Sequence, residues 1–382
     1  MARVKGEACF LRAYYYFWLV NLYGKPYDAE AASHPGVPVK TSENVEDTKF
    51  TRNSVQEVYE QILSDLDVAG ELLGMQIQPK KSIYRADSTA VNLLRSRVCL
   101  YMQDWESAAA YAGRVIKAVP GLEDLNATSS AFMRKDNPEM LFSMGGADMP
   151  LLFYFGYKSY RVSRDLYSCY TKDDLRKSKW FWEYNAFIAP TRYQEINIYD
   201  EPKTRDDSDY YNSMYNTSWR GRNAAVSSTF LLRTAEAYLN YAEAQAYLGH
   251  EAEAMEALKT LRAVRYAGGA VEREAVYSGE KLVTAIRDER RKELVLEGHR
   301  WFDLRRYQVC GEYPYSKRMV HDYTYYAERT SSKMTECHRF VLEPGDDGYT
   351  LPIPESVIRF NTGMGNNPRP WREYEIIPLK NN

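Results

Sequence analysis

The stretch from Ser88 to Pro120, STAVNLLRSRVCLYMQDWESAAAYAGRVIKAVP, decides the fold. Leu94, Val98 and Tyr101 recur at helical spacing in its first half. Gln103-Asp104 makes a tight turn. Trp105, Ala108, Ala112, Val115 and Ile116 line a second helix, and Pro120 stops it. The alanines let two helices approach closely, which is the layout of a tetratricopeptide unit. The layout recurs from Thr229 to Arg265. A shift of 146 residues sets Leu93 on Leu239, Tyr101 on Tyr247, Ala108 on Ala254 and Val115 on Leu261. Helical pairs of this kind stack because one pair cannot bury its own apolar face.

Outward from these hairpins, other helices can be read. The spacing predicts a first helix from about Cys9 to Leu22, with Leu11, Tyr15, Trp18 and Leu22 on its apolar face and Gly24 as a left-handed cap. A polar loop follows to about Asn53. Ser54 and Glu57 have capping-box spacing, and Val55, Tyr59, Ile62, Leu66, Ala69 and Leu73 form the stripe of a second helix. A last long helix is predicted from about Glu280 to Tyr307. Its charges alternate in sign, which reads as a face of i, i+4 pairs.

Composition narrows the function. Lys and Arg total 50 against 52 Asp and Glu, a net charge of −2, which argues against a nucleic-acid partner. The five cysteines are odd in number and widely spaced, without a CxxC pair, so a disulfide framework or zinc site is not indicated. No apolar run reaches the length of a membrane-spanning helix. No phosphate loop, dinucleotide fingerprint or nucleophile elbow appears, so no cofactor is expected. His299 reads as a buried, hydrogen-bonded residue at a helix end.

The unusual feature is tyrosine, 33 residues of it. From Leu151 to Ala225, 18 of 75 residues are aromatic, about 24 % against 14 % for the chain. Such long irregular segments are functional, disordered or a small subdomain, and aromatic content weighs against disorder. Sugar rings stack on Trp and Tyr, while planar amides and guanidinium groups meet their hydroxyls. The candidate ligand contacts are therefore Trp180, Trp182, Tyr210, Tyr211, Tyr215 and Trp219, with Asn212 and Arg222 as polar partners and Tyr27 in the first long loop. Two other readings stay open. Asp173 or Asp206 and their acidic neighbours would serve a glycoside hydrolase, or the whole chain would be a protein-binding tetratricopeptide scaffold.

Several stretches coincide with one family. Phe10-Leu11-Arg12-Ala13-Tyr14-Tyr15-Tyr16-Phe17 is followed by Asn21-Leu22-Tyr23-Gly24, then by Ser54-Val55-Gln56-Glu57-Val58-Tyr59. Leu232-Arg233-Thr234-Ala235-Glu236-Ala237-Tyr238 and Glu289-Arg290-Arg291-Lys292-Glu293-Leu294 come next. Glu297-Gly298-His299-Arg300-Trp301-Phe302-Asp303-Leu304-Arg305-Arg306 is the most specific, and Leu351-Pro352-Ile353-Pro354 and Asn367-Pro368 follow in the tail. In order and spacing the chain resembles the SusD/RagB family, the outer-membrane nutrient-binding lipoproteins of Bacteroidetes-type glycan-uptake systems.

The resemblance implies a mainly α fold: a tetratricopeptide-like helical-repeat scaffold with a long irregular, aromatic-rich, ligand-facing insertion. It implies one domain over residues 1–382, with scaffold helices at 1–125 and 229–310, the insertion at 126–228 and an irregular tail at 311–382. It implies a non-enzymatic surface protein that binds glycan and delivers it to a SusC-like TonB-dependent transporter, the scaffold helices facing that partner. Family members begin with a signal peptide, an acylated cysteine and further helices, so this chain is expected to lack the family's usual N-terminal part. Membrane association would then rest on a lipid anchor that these residues do not contain.

Overall fold

A computed structural model describes residues 1–74, 82–128, 131–145, 160–184, 187–192, 226–268, 270–271, 275–328 and 333–379. They gather into two compact units, Met1–Phe10 with Leu66–Arg300, and Leu11–Asp65 with Trp301–Asn382. In chain order the elements begin with α1 (Ala2–Tyr23), α2 (Val55–Gly74), α3 (Ser88–Tyr101), α4 (Trp105–Ala118) and β1 (Met140–Ser143). Next come α5 (Arg164–Tyr167), α6 (Arg176–Lys179), β2 (Phe181–Tyr184), β3 (Phe187–Pro190) and β4 (Leu231–Arg233). Then follow α7 (Thr234–Tyr247), α8 (Glu251–Ala263), α9 (Gly279–Glu293) and α10 (His299–Gln308). The chain ends with β5 (Met319–Tyr326), β6 (Met334–Leu342), α11 (Glu355–Phe360) and β7 (Glu375–Ile377). Among the described residues no helix is long and apolar enough to cross a membrane.

The two hairpins of the first unit repeat as the sequence predicts. α3 and α7 start and end 146 residues apart. Their turns also correspond. Asp104 N donates to Cys99 O and His250 N to Gln245 O, both at 2.9 Å. Gln103 takes the same left-handed conformation (φ 62°) as Gly249 (φ 77°), so one backbone turn is built from two different residues. Trp105 stacks on Tyr247 with centroids 4.0 Å apart and planes within 4°. α4 packs on α7, and α7 on α8 and α9. Their core contains Leu239, Ala242, Ala254, Leu258, Leu261, Leu282 and Ile286. The long predicted helix over Glu280–Tyr307 is instead two helices. The chain breaks between Glu293 and His299, where Leu296 (φ 60°) and Gly298 (φ 84°) are left-handed.

A second core in this unit lies beneath the short elements of the predicted insertion. Phe132, Tyr170, Trp180, Phe181, Ile188 and Leu231 fill it. β2 and β3 pair as an antiparallel hairpin, and β1 pairs with β4 in register Met140↔Arg233. That pairing brings Glu139 beside Arg233.

In the second unit α1 departs from its predicted face. Leu11, Trp18 and Leu22 are half-buried and Tyr15 is 44 % exposed, whereas Ala13, Tyr14, Phe17 and Val20 are buried. α1 is apolar nearly all round here, so periodicity could not single out the inward stripe. Gly24 is not left-handed, unlike the predicted cap. It is needed for space, because a Cβ there would lie 2.8 Å from the Val20 carbonyl oxygen and 3.1 Å from Val55. The capping box forms as predicted: Ser54 N donates to Glu57 Oε2 (2.7 Å) and Glu57 N to Ser54 Oγ (3.1 Å). Asn21 Nδ2 donates to the Tyr59 hydroxyl at 3.0 Å. Arg305 donates to the carbonyl oxygens of Asn21 and Gly24, satisfying the end of α1. The predicted irregular tail carries a three-stranded antiparallel sheet in the order β5–β6–β7. Its faces are both partly exposed, so the alternation of apolar and polar residues that marks a half-buried strand is missing.

Candidate functional site

Trp180 and Trp182 lie at the start of the β2–β3 hairpin, in different environments. α6 ends at Lys179 and delivers Trp180 inward. Trp180 has no accessible surface, packs 4.7 Å from Phe132, and carries the Arg192 guanidinium 4.2 Å from its ring centroid. It is core, and this corrects its reading as a ligand contact. The same correction holds for Tyr170 and Phe181: much of the described aromatic content of this region builds a core.

Strand alternation sends Trp182 to the opposite face from Phe181, and Trp182 is partly exposed. On the other face, the side of Phe181 and Glu183, lie planar polar groups of the kind a sugar needs. Arg164 donates to Glu183 at 2.7 Å. Tyr167 meets the edge of Phe181 at 5.9 Å and has Lys177 4.9 Å above its ring. Burial, together with neighbouring Glu183, pushes the Tyr167 hydroxyl above its ordinary pKa.

Tyr27 belongs to the second unit, where its ring packs edge-on against Tyr59 at 5.0 Å. Partial burial and the Glu60 charge raise its pKa. Tyr210, Tyr211, Asn212, Tyr215, Trp219 and Arg222 lie outside the described residues, as does Asp206.

Beneath the hairpin is a buried ionic network that the sequence reading missed. Glu293 accepts from Arg233 at 2.6 Å, Arg176 at 2.8 Å and Arg265 at 2.9 Å. Glu139 joins Arg233 and Arg265, and Glu297 joins Arg192 and Arg233. Burial alone would raise the pKa of Glu293, but Arg265, Arg233 and Arg176 outweigh it and hold the carboxylate well below its ordinary range. Glu289 is likewise buried, and Arg176, Lys292 and Arg262 hold it ionised. The expected i, i+4 face is therefore a set of long-range pairs. A usable signal was present: Arg233 interrupts the apolar run Leu231-Leu232, and Arg265 follows Ala263-Val264.

Asp174, half of the carboxylate pair considered for hydrolysis, is bound by Arg176 through both oxygens at 2.9 and 2.8 Å. A carboxylate clamped in this way is a poor general acid. His299 is buried, 3.3 Å from an Arg290 nitrogen, as expected. Among the described residues no group of His, Cys, Asp or Glu is arranged to hold a metal.

Two cavities of this unit lie among the described residues. One, about 520 Å³, is lined by Cys169, Tyr277, Lys281, Asp288 and Lys292. Its buried Lys292 is engaged by the Tyr266 hydroxyl at 2.5 Å and Glu289 at 3.0 Å. The other is a groove of about 610 Å³ across the helical hairpins, floored by Ile116, Tyr238, Tyr241 and Ala257 and rimmed by Lys117, Glu253 and Glu256.

Residues 154–371 match the SusD family model, and residues 1–100 match a model described as starch-binding associating with outer membrane. The SusD-like protein P38 of Formosa agariphila is 24 % identical over 347 residues, covering 78 % of this chain. The chain spans 65 % of the length of that curated relative. Among solved structures, a SusD superfamily protein from Bacteroides thetaiotaomicron superposes with TM-score 0.70 at 24 % identity, over 96 % of this chain and 78 % of that one. A SusD-like carbohydrate binding protein from Bacteroides vulgatus gives TM-score 0.66 at 22 % identity, over 95 % and 77 %. The mainly helical fold is therefore that of SusD superfamily proteins, and the chain belongs to the SusD family.

Proposed function

We propose that this protein binds a glycan at the outer-membrane surface and hands it to a SusC-like TonB-dependent transporter, without catalysing a reaction. The observation that carries the reading is the pairing of family membership with the partly exposed Trp182 on the β2–β3 hairpin. Trp182 supplies a stacking face, and Arg164, Glu183 and Tyr167 supply planar polar groups on the other face of β2, the side of Phe181. Relatives described as carbohydrate binding support the ligand class. The clamped state of Asp174 supports a non-catalytic role. The groove floored by Tyr238 and Tyr241 on the helical scaffold is the surface assigned to the transporter.

Affinity electrophoresis of the full chain through gels containing amylopectin, galactomannan, arabinoxylan or xyloglucan tests the binding reading. Trp182→Ala with Trp219→Ala is expected to weaken retardation about tenfold, the loss of two stacking partners. Retardation unchanged by that pair refutes the site. Release of reducing sugar from the retarding polysaccharide refutes the non-catalytic reading. Transporter capture tests the groove: Tyr241→Arg is expected to abolish co-purification with a SusC-like partner while leaving glycan retardation intact.

A further inference from the structure

The sheet of the second unit carries a cluster of rings that its packing does not consume. Register sets Tyr323 opposite His338, Tyr325 opposite Glu336, and His338 opposite Ile376. Opposed residues share a face and side chains alternate along a strand, so Tyr323, Tyr325, His338, Phe340 and Tyr374 leave the same face. The rings touch in sequence across it. Tyr323 and Tyr325 are 4.9 Å apart, Tyr325 and His338 4.6 Å, and His338 stacks on Tyr374 at 3.9 Å with planes 7° apart. Tyr323, Tyr325 and Tyr374 nevertheless stay 51 %, 43 % and 47 % exposed. The patch is about 10 Å wide, two inter-strand spacings.

Two details select the ligand. The hydroxyls of Tyr323, Tyr325 and Tyr374 make no hydrogen bond among the described residues. In the same unit the buried Tyr349, by contrast, donates its hydroxyl to the Lys317 carbonyl oxygen at 3.2 Å. An apolar partner would strip water from the three free hydroxyls and return nothing, whereas a polyhydroxylated ligand replaces each bond. The second detail is the polar group at the centre. His338 is buried, and the contact of its Nε2 with Glu336 Oε2 at 2.6 Å is its one hydrogen bond among the described residues. Glu336 therefore stands among the rings as an acceptor, on the rim of the stack. The neighbouring arginines are occupied, Arg339 by Asp322 and Arg372 by Asp346. A face whose carboxylate is half exposed and whose cations are occupied repels a polyanion.

We infer that this sheet face is a second binding surface, for a neutral, polyhydroxylated chain that lays its C–H faces on Tyr325 and Tyr374 and meets the three hydroxyls with its own. Its choice of ligand rests on the glycan reading above, but its residues belong to a different unit from Trp182.

The full chain is run through gels containing amylopectin, galactomannan or alginate. The two neutral polysaccharides are the probes, and alginate is the polyanion control. Tyr325→Ala with Tyr374→Ala is expected to weaken retardation by a neutral polysaccharide about tenfold, with no retardation by alginate at any stage. Because the rings also brace the sheet, a second variant keeps them: Tyr323→Phe, Tyr325→Phe and Tyr374→Phe together. It is expected to retain the parent melting temperature and lose severalfold in retardation. Full retardation in both variants overturns the inference, and so does the absence of retardation by either neutral polysaccharide in the parent. Binding of the parent to phosphatidylcholine vesicles that the alanine pair abolishes also overturns it, in favour of a membrane contact. Loss confined to the Trp182 and Trp219 variant overturns this surface and sustains the other; loss confined to the tyrosine variants does the reverse.

Discussion

Replacing Glu293 by Gln tests whether the ionic network is a structural requirement. The change keeps shape and removes one buried negative charge from among Arg176, Arg233 and Arg265, which approach to 2.8, 2.6 and 2.9 Å. At such a separation each pair is worth roughly 6 kcal/mol for an effective permittivity of about 20. Part of this is returned, because a neutral amide is easier to bury than a carboxylate. The amide also turns a donor toward guanidinium groups that are themselves donors, so one of its contacts becomes repulsive. The net expectation is the loss typical of a broken buried pair, about 3–5 kcal/mol. For a unit of this size that lowers the melting temperature by about 10 °C. Calorimetry and urea titration of the two proteins measure it, with Glu355→Gln as control. Glu355 pairs with Arg359 on the exposed surface, where removal should cost about 0.5 kcal/mol or less. A Glu293→Gln loss below about 1 kcal/mol refutes the reasoning. The pH dependence gives an independent check. Glu293 and Glu289 have folded pKa values below their unfolded ones, so their contribution is complete above the unfolded value, near 4.3, and is lost as pH falls toward the folded values. The parent should therefore lose stability steeply below about pH 4.5, and Glu293→Gln less steeply.

Other predictions follow from single sites. Gln103 occupies the left-handed position that Gly249 fills in the second hairpin, so Gln103→Gly should stabilise the protein by about 0.5–1 kcal/mol and Gly249→Gln should cost as much; denaturant midpoints with unchanged slopes measure both. Burial pushes the Cys99 thiol up to about 12, whereas Cys169 is half-buried, so iodoacetamide at pH 8 should label Cys169 first and leave Cys99 intact until unfolding, as peptide mapping will show. Asp346 is held down to about 2, chiefly by hydrogen bonding to Arg372. Asp346→Asn should thus cost under about 1 kcal/mol at neutral pH, less at high salt, and nothing below pH 2.

What the sequence made legible follows from what each element needs. The hairpins at Ser88 and Thr234 were readable because spacing, small residues and a turn all pointed the same way. The capping box of α2 was readable because Ser54 and Glu57 satisfy each other locally. α1 was misread in phase because tyrosine and phenylalanine occupy nearly every side of it. Trp180 and Trp182 were indistinguishable, since a core and a sugar both select flat apolar rings; what separates them is that Trp180 closes α6 whereas Trp182 lies within β2. The pairing within the ionic network was illegible for a different reason, although the placing of Arg233 and Arg265 beside apolar residues hinted at burial. Arg192, Arg233 and Glu293 are far apart in the chain, and nothing in their immediate neighbours says which charge each will meet. The tail's strands were missed because both faces of the sheet reach solvent.

Those long separations have a further consequence for how the chain reaches its native state. Arg97 and Glu236 are 139 residues apart, Arg265 and Glu139 126, and Arg176 and Glu293 117. None of these pairs can form until distant segments have already docked, and loop closure must precede the reward. Until then the arginines and glutamates remain hydrated and keep a partly folded chain soluble while its apolar helices are still exposed. The network therefore acts late, as a checkpoint on assembly: a misdocked hairpin strands a charge in the interior and is rejected, so the same groups that brace the finished protein also sort correct from incorrect intermediates on the folding route.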